Sequence, residues 1–91
     1  MAGAPLVRHA TIVNQRGLHA RATAKLVRLA ETFKAKVEVS RDDMTVNGTS
    51  ILGLMLLAAG IGTVVTLKAE GEDAQEALDA LCDLIGRGFD E

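Results

Sequence analysis

The feature that most limits how this chain can fold is a long stretch without charge, residues 45–67. Its apolar part, Ile51–Val65, is 15 residues long and is interrupted by Gly53, Gly60 and Gly62. A helix that spans a bilayer needs about 20 consecutive apolar residues. We therefore predict that this stretch folds as a short helix, a turn and a strand, and that the protein does not insert into a membrane.

The other segments alternate between strand-like and helix-like patterns. β-Branched runs predict strands at 6–13, 36–40, 44–47 and 63–69. Apolar residues at helical spacing predict helices at 19–33, at 51–59 and from 74 to 86 or 88. Ser50 is a suitable N-cap for the second helix, and Asp73 with Glu76 resembles a capping box for the third. The order β-α-β-β-α-β-α predicts a single α+β domain over residues 1–91, with a four-stranded, mostly antiparallel sheet and three helices on one face.

Aliphatic side chains must fill most of the core, because the only aromatic residues are Phe33 and Phe89. In the first helix, one apolar stripe contains Ala22, Leu26, Leu29, Ala30 and Phe33. The residues expected to point inward from the hairpin are Val37, Val39, Met44 and Val46. The last helix is expected to bury Ala74, Ala77, Leu78, Leu81, Cys82 and Ile85.

Composition excludes several classes of function. The net charge is −2 and the chain has no Tyr or Trp, so it lacks both the basic surface and the stacking platform of nucleic-acid-binding proteins. The single Cys82 favours a reducing compartment, and residues 1–5 lack the pattern of a signal peptide. We therefore expect a cytoplasmic protein. His9, His19 and Cys82 form no recognisable metal-ligand set, no cofactor is expected, and His9 is interpreted as a structural or surface residue.

The segment Gly17-Leu18-His19-Ala20-Arg21 is the strongest candidate for chemistry. His19 is predicted at the start of a helix, where free backbone N–H groups and the helix dipole favour a phosphate. Arg21 adds a permanent positive charge. Both features oppose protonation of the imidazole, so a neutral ring with a free lone pair is expected at pH 7. This combination is typical of a phosphoryl acceptor, although the spacing alone is equally consistent with a residue that merely caps the helix.

A basic stripe, Arg21, Lys25 and Arg28, begins beside His19 on the first helix. It is consistent with an ordinary solvated face and also with steering of an acidic partner, and the two interpretations are compatible.

The second helix carries more apolar surface than one buried face requires. If Leu54, Leu57 and Ala58 face the sheet, then Leu52, Met55 and one of Ile51 or Leu56 face outward. Such a patch indicates a partner surface, and the alternative is a more deeply buried helix within an oligomer. Ser50, at the start of this helix, is explained by capping alone, but a phosphate there would also be stabilised by the helix dipole.

These residues resemble the HPr family of phosphocarriers in the phosphoenolpyruvate-dependent phosphotransferase system. The segment 17–21 is similar to the family's phosphorylation-site motif, and 47–53 to its regulatory-serine motif. The resemblance implies an open-faced β-sandwich that is a monomer and a group carrier rather than an enzyme. It implies that His19 accepts a phosphoryl group on Nδ1 from Enzyme I, with Arg21 beside it, and passes the group to a histidine of an Enzyme IIA-type protein.

Further roles follow from the same resemblance. Ser50 matches the serine that HPr kinase/phosphorylase modifies in some bacteria, and Ile51, Leu52 and Met55 match the exposed docking patch. The family usually has proline where this chain has Ala22, and we expect a small effect on stability and none on the chemistry. The altered motif and the segment 88–91 look more like the nitrogen-related branch than the sugar-transport branch.

A rival interpretation from another class is a non-catalytic α+β domain for interaction or ligand sensing, which would use the same apolar patch without a covalent step. His19→Ala separates the two: it abolishes phosphoryl transfer in a carrier and leaves partner binding nearly intact in an interaction domain.

Overall fold

The order of elements is the predicted one, β-α-β-β-α-β-α. The structure is a computed structural model that describes residues 4–91. Its elements are β1 (Leu6–Thr11), α1 (Ala20–Ala30), β2 (Lys36–Arg41), β3 (Met44–Asn47), α2 (Ile51–Leu56), β4 (Val64–Glu70) and α3 (Ala74–Gly86), followed by a 3-10 turn at Gly88–Asp90. Within the described range, each helix is too short to cross a bilayer as an apolar span.

The four strands form one sheet in the spatial order β1-β4-β2-β3. All of its neighbouring strands are antiparallel. Strand β4 lies between β1 and β2, with His9 opposite Thr66 on one side and Val39 opposite Leu67 on the other. The pairs β1–β4 and β2–β4 therefore join parts of the chain that are distant in sequence, and only the β2–β3 hairpin is local.

The helices cover one face of this sheet, as predicted for an open-faced β-sandwich. Strand β4 shows the alternation directly, because Val65, Leu67 and Ala69 are buried while Val64 and Lys68 are exposed. Leu26 of α1 and Leu78 and Leu81 of α3 are also buried in the same core. Burying one such side chain contributes about 1.5–3 kcal/mol. The core is mainly aliphatic, and Phe89 is its one fully buried aromatic residue.

Two residues predicted to point inward do not. Met44 is 46% exposed, because it lies at the hairpin end of the edge strand β3, opposite Arg41. Ala58 is exposed because α2 ends at Leu56 rather than Ala59, and Ala58 itself has a left-handed φ of 51° that turns the chain away.

Other boundaries and burials also differ from prediction. Strand β1 ends at Thr11 rather than at residue 13, and α1 ends at Ala30, so that Phe33 packs on the core from the following turn. Cys82 is only partly buried, and this burial raises the pKa of its thiol.

The capping box predicted for α3 is wrong. Asp73 lies at the N-cap position but makes no side-chain cap hydrogen bond. Its carboxylate instead accepts hydrogen bonds from the backbone N–H groups of Lys34, at 2.8 Å, and Ala35, at 2.7 Å. These bonds, that of Lys34 first, lower the pKa of Asp73. Asp73 therefore ties the start of α3 to the segment that enters β2.

Candidate functional site

The loop before His19 is held against the segment that follows α2. Gly17 has a φ of 63°, and a Cβ placed there would lie 2.4 Å from the carbonyl oxygen of Ala59. The N–H of buried Leu18 donates to the same oxygen at 3.0 Å. This close approach of two backbone segments requires glycine, and it fixes the point at which the chain enters α1.

His19 lies at the N-cap of α1, with extended backbone angles (φ −75°, ψ 175°), and its carbonyl accepts from the N–H of Thr23 at 2.9 Å. Its side chain makes no capping hydrogen bond, so capping does not account for the imidazole. The first N–H groups of a helix, those of Ala20, Arg21 and Ala22 here, have no acceptor inside it. The ring, 17% exposed, therefore lies at the positive end of a helix that has a donor-rich terminus.

Glu91 contacts the ring. Its Oε2 is paired with His19 Nε2, and its Oε1 accepts from Asn14 Nδ2 at 3.1 Å. Asn14 Nδ2 also donates to the carbonyl of Gly17 at 2.9 Å. The hydrogen bond with His19, followed by that from Asn14, lowers the pKa of Glu91. The carboxylate therefore stays ionised against one nitrogen of the ring.

The segment that carries Glu91 is anchored from two sides. Phe89 is fully buried in the core, and its carbonyl accepts a 2.6 Å hydrogen bond from Lys25 Nζ. Arg87 Nε donates to Asp90 Oδ1 at 2.8 Å. Lys25, predicted to belong to an exposed basic stripe, is therefore half-buried and connected to this segment.

The other two members of the stripe are free. Arg21 and Arg28 are exposed, and neither makes a hydrogen bond or ion pair with any side chain or backbone group of residues 4–91. Arg21, two positions after His19, can turn its guanidinium toward an anion at the helix terminus without first breaking an ion pair.

The short helix α2 divides its faces largely as predicted. Ser50 caps it, since its Oγ accepts from the N–H of Gly53 at 3.0 Å. Leu54 and Leu57 are buried, whereas Leu52 is 70% exposed. We use "α2 patch" for the exposed apolar side chains of this helix, which are Ile51, Leu52, Met55 and Leu56.

Within residues 4–91, no three His, Cys, Asp or Glu side chains are grouped so that they could hold a metal ion. His9 lies exposed on β1, with its Nδ1 3.0 Å from Thr66 Oγ1 on the neighbouring strand. Its partner, Thr66, is therefore different from that of His19, which is Glu91.

Sequence reasoning missed Glu91 and Asn14. Glu91 is 72 positions from His19, and no local pattern connects the two. Asn14 opens a short polar segment, residues 14–16, that lies between β1 and Gly17. Its position three residues before Gly17 is a weak signal, because Asn side chains commonly bond to the backbone of their own turn.

A family model described as "PTS HPr component phosphorylation site" matches residues 6–87. The chain belongs to the HPr family. The phosphocarrier protein HPr of Cupriavidus necator is 54% identical over 86 residues, which cover 94% of this chain and 97% of that protein. The phosphocarrier protein NPr of Shewanella violacea is 44% identical over 86 residues, 94% of each chain.

Solved structures give the same family. The crystal structure of HPr-C-His from Thermoanaerobacter tengcongensis matches with a TM-score of 0.90 and 43% identity, covering 94% of this chain and 97% of that one. Members of the HPr family are phosphocarriers of the phosphotransferase system, and their partners are components of that system such as Enzyme I and Enzyme IIA proteins. The family resemblance inferred from the two motifs is confirmed, and the relatives include both the HPr and the NPr branch.

Proposed function

We propose that His19 accepts a phosphoryl group from phospho-Enzyme I, which is charged by phosphoenolpyruvate, and passes it to a histidine of an Enzyme IIA-type protein. The observation that carries this proposal is the imidazole at the free N-terminus of α1, with its Nε2 against Glu91 and no capping role. The lone pair of Nδ1 is then the nucleophile. The N–P bond to the donor histidine breaks as the bond to Nδ1 forms, and the donor ring keeps its electron pair.

The same terminus would hold the transferred group. The free N–H groups at the start of α1 and the guanidinium of Arg21, which has no ion-pair partner within residues 4–91, supply donors and positive charge for three phosphoryl oxygens. Phosphoryl transfer needs mainly positioning and charge stabilisation, so a carrier requires little other chemistry. Because the donors belong to the carrier, they serve both the loading step and the unloading step.

The α2 patch is suited to partner docking. Its apolar side chains lie exposed on a helix whose following segment contacts Gly17 and Leu18 through Ala59, so the patch and the His19 loop are parts of one surface region. Arg21 and Arg28 would attract acidic partners to that region. The chain would work as a monomeric, single-domain carrier in the cytoplasm.

Ser50 would regulate this docking. A phosphate added by an HPr kinase/phosphorylase-type enzyme adds about two negative charges at pH 7. The phosphate would lie at the N-terminal end of α2, directly before Ile51 and Leu52 of the α2 patch. Charge at that edge disfavours burial of the apolar patch against Enzyme I.

The decisive experiment is intact mass after incubation with phosphoenolpyruvate and Enzyme I. The wild type is expected to gain one phosphoryl group that mild acid removes, and His19→Ala is expected to gain none. His9→Ala is the matched control, because it removes the only other histidine and should be loaded like the wild type. No added mass, with an Enzyme I that loads a known carrier, would contradict the proposal, as would loading that survives in His19→Ala.

A further inference from the structure

We propose that Glu91 is a positioning residue for phosphoryl transfer: its carboxylate keeps the ring proton of His19 on Nε2 and thereby leaves Nδ1 as the nucleophile. This inference rests on the carrier function proposed above. Its basis is the pairing of Glu91 Oε2 with Nε2, together with the anchoring of the segment that carries Glu91.

The backbone conformation of the 88–91 segment indicates that the contact between Glu91 and His19 is fixed by the fold. Gly88, Phe89 and Asp90 have consecutive left-handed φ values of 68°, 57° and 61°. Non-glycine residues adopt this conformation at an energetic cost, and they keep it only where surrounding contacts fix it. Here the fully buried ring of Phe89 and the hydrogen bond from Lys25 Nζ to its carbonyl are those contacts. The chain is thus turned back toward α1, where Glu91 meets His19.

The chemistry of the two groups determines where the proton lies. An ionised carboxylate only accepts hydrogen bonds, and a neutral imidazole has one N–H. The nitrogen facing Glu91 must therefore carry that proton, which leaves the lone pair on Nδ1. Asn14 Nδ2 donates to the other oxygen, Oε1, at 3.1 Å and so orients the carboxylate toward His19.

Glu91 also balances charge during transfer. When Nδ1 forms its bond to phosphorus and the donor histidine departs with its electron pair, the proton on Nε2 stays, so the phosphorylated ring becomes a cation. The contact with Glu91 then becomes a charge-assisted hydrogen bond, the stronger kind. When the acceptor takes the phosphoryl group, Nδ1 recovers its lone pair and the ring is neutral again.

Glu91→Gln tests this role directly, because the hydrogen bond from Asn14 fixes the orientation of the new side-chain amide. The single amide oxygen is needed to accept from Asn14 Nδ2, so the NH₂ group faces His19 Nε2 and donates to it. The proton should then move to Nδ1 and block the nucleophile. Glu91→Ala removes the carboxylate and imposes no preference. Asp90→Asn is the matched control, since Asp90 lies on the same segment and pairs with Arg87.

The first measurement is nitrogen-15 NMR of the His19 ring in the unphosphorylated protein, at a pH where the ring is neutral. We expect the proton on Nε2 in the wild type and in Asp90→Asn, on Nδ1 in Glu91→Gln, and on a mixture of both in Glu91→Ala. A wild-type proton on Nδ1, or a pattern unchanged in Glu91→Gln, would overturn the inference. This readout needs no Enzyme I, so it is independent of the proposed function.

The second measurement is the rate of loading by Enzyme I. In Glu91→Gln the proton must leave Nδ1, and the hydrogen bond from the amide to Nε2 must break, before the ring can attack. The cost of breaking one such bond should slow loading of this variant about tenfold, whereas Asp90→Asn should load like the wild type. A wild type that takes no phosphoryl group would overturn the proposed function. A wild type that is loaded no faster than Glu91→Gln would overturn the positioning role alone.

Discussion

Gly17→Ala is the substitution whose consequence the structure defines best. The new Cβ would lie 2.4 Å from the carbonyl oxygen of Ala59 and 2.9 Å from the Cα of Gly60. An ordinary contact is about 3.5 Å or more, so the two backbone segments must separate by roughly 1 Å. Both neighbouring atoms belong to the backbone, and no flexible side chain can move aside.

Three costs combine in this variant. Holding alanine at a φ of 63° costs about 1–2 kcal/mol. Bending the hydrogen bond from the N–H of Leu18 to Ala59, now 3.0 Å, costs about 1 kcal/mol, and overpacking adds about 1 kcal/mol or more. We expect a loss of about 3–4 kcal/mol, a large part of the ~5–14 kcal/mol typical of a domain of this length.

Urea unfolding followed by far-ultraviolet circular dichroism measures this loss, since the chain has no Trp or Tyr for fluorescence. At about 1–3 kcal/mol per molar urea, the midpoint should fall by more than ~1 M. Gly60→Ala is the control, because a Cβ there meets no atom within 4 Å and the residue has no left-handed φ. It should change stability by less than about 0.5 kcal/mol. Equal midpoints for the two variants would refute the reasoning.

Three further outcomes are expected from other parts of the fold. Leu52→Asp should leave the urea midpoint nearly unchanged, because Leu52 is 70% exposed, and should raise the Kd for Enzyme I by placing a charge in the α2 patch. Leu54→Asp, at a fully buried position, should unfold the protein, and the same loss of structure in Leu52→Asp would show that Leu52 is core. Ser50→Ala should cost about 1 kcal/mol of stability through the lost cap, whereas Ser50→Asp should slow loading of His19 by Enzyme I, and an unchanged rate would contradict the regulatory role. Hydrogen bonds from backbone N–H groups lower the pKa of Asp73 in the folded protein. Its carboxylate therefore stabilises the fold at pH values above the pKa of an unfolded aspartate, about 3.9, and this stabilisation is lost as the pH falls through the lower pKa of the folded state. Asp73→Asn should therefore be less stable than the wild type at pH 7, and urea midpoints of the two should converge in acid; a gap that persists undiminished there would count against this assignment.

Local pattern predicted much of this fold, and tertiary contacts account for what it missed. The apolar spacing in α1, the cap at Ser50 and the exposed face of α2 depend on residues a few positions apart, and each appears in the structure. Met44 differs because its exposure depends on β3 being an edge strand. Asp73 differs because its partners, the N–H groups of Lys34 and Ala35, lie far away in sequence.

The candidate site shows the same division. The position of His19 at the start of α1 followed from Gly17, Arg21 and the helical stripe. Its pairing with Glu91 could not be predicted, since that contact depends on the turn of the 88–91 segment and on the anchoring of Phe89 by Lys25. A lysine on a basic stripe gives no local sign that its ammonium group reaches a distant carbonyl.

The strand order has a consequence for how the site forms during folding. Strand β1 ends just before the His19 loop, and its hydrogen-bonded partner is β4, with Leu6 opposite Ala69 and Thr11 opposite Val64. Pairing segments this far apart costs loop-closure entropy, so it tends to form late in folding. A nascent chain that has not yet reached β4 has no strand to hold β1, and so nothing to fix the loop that β1 leads into. We expect His19 to reach its working position only after β4, which ends at Glu70, has emerged from the ribosome.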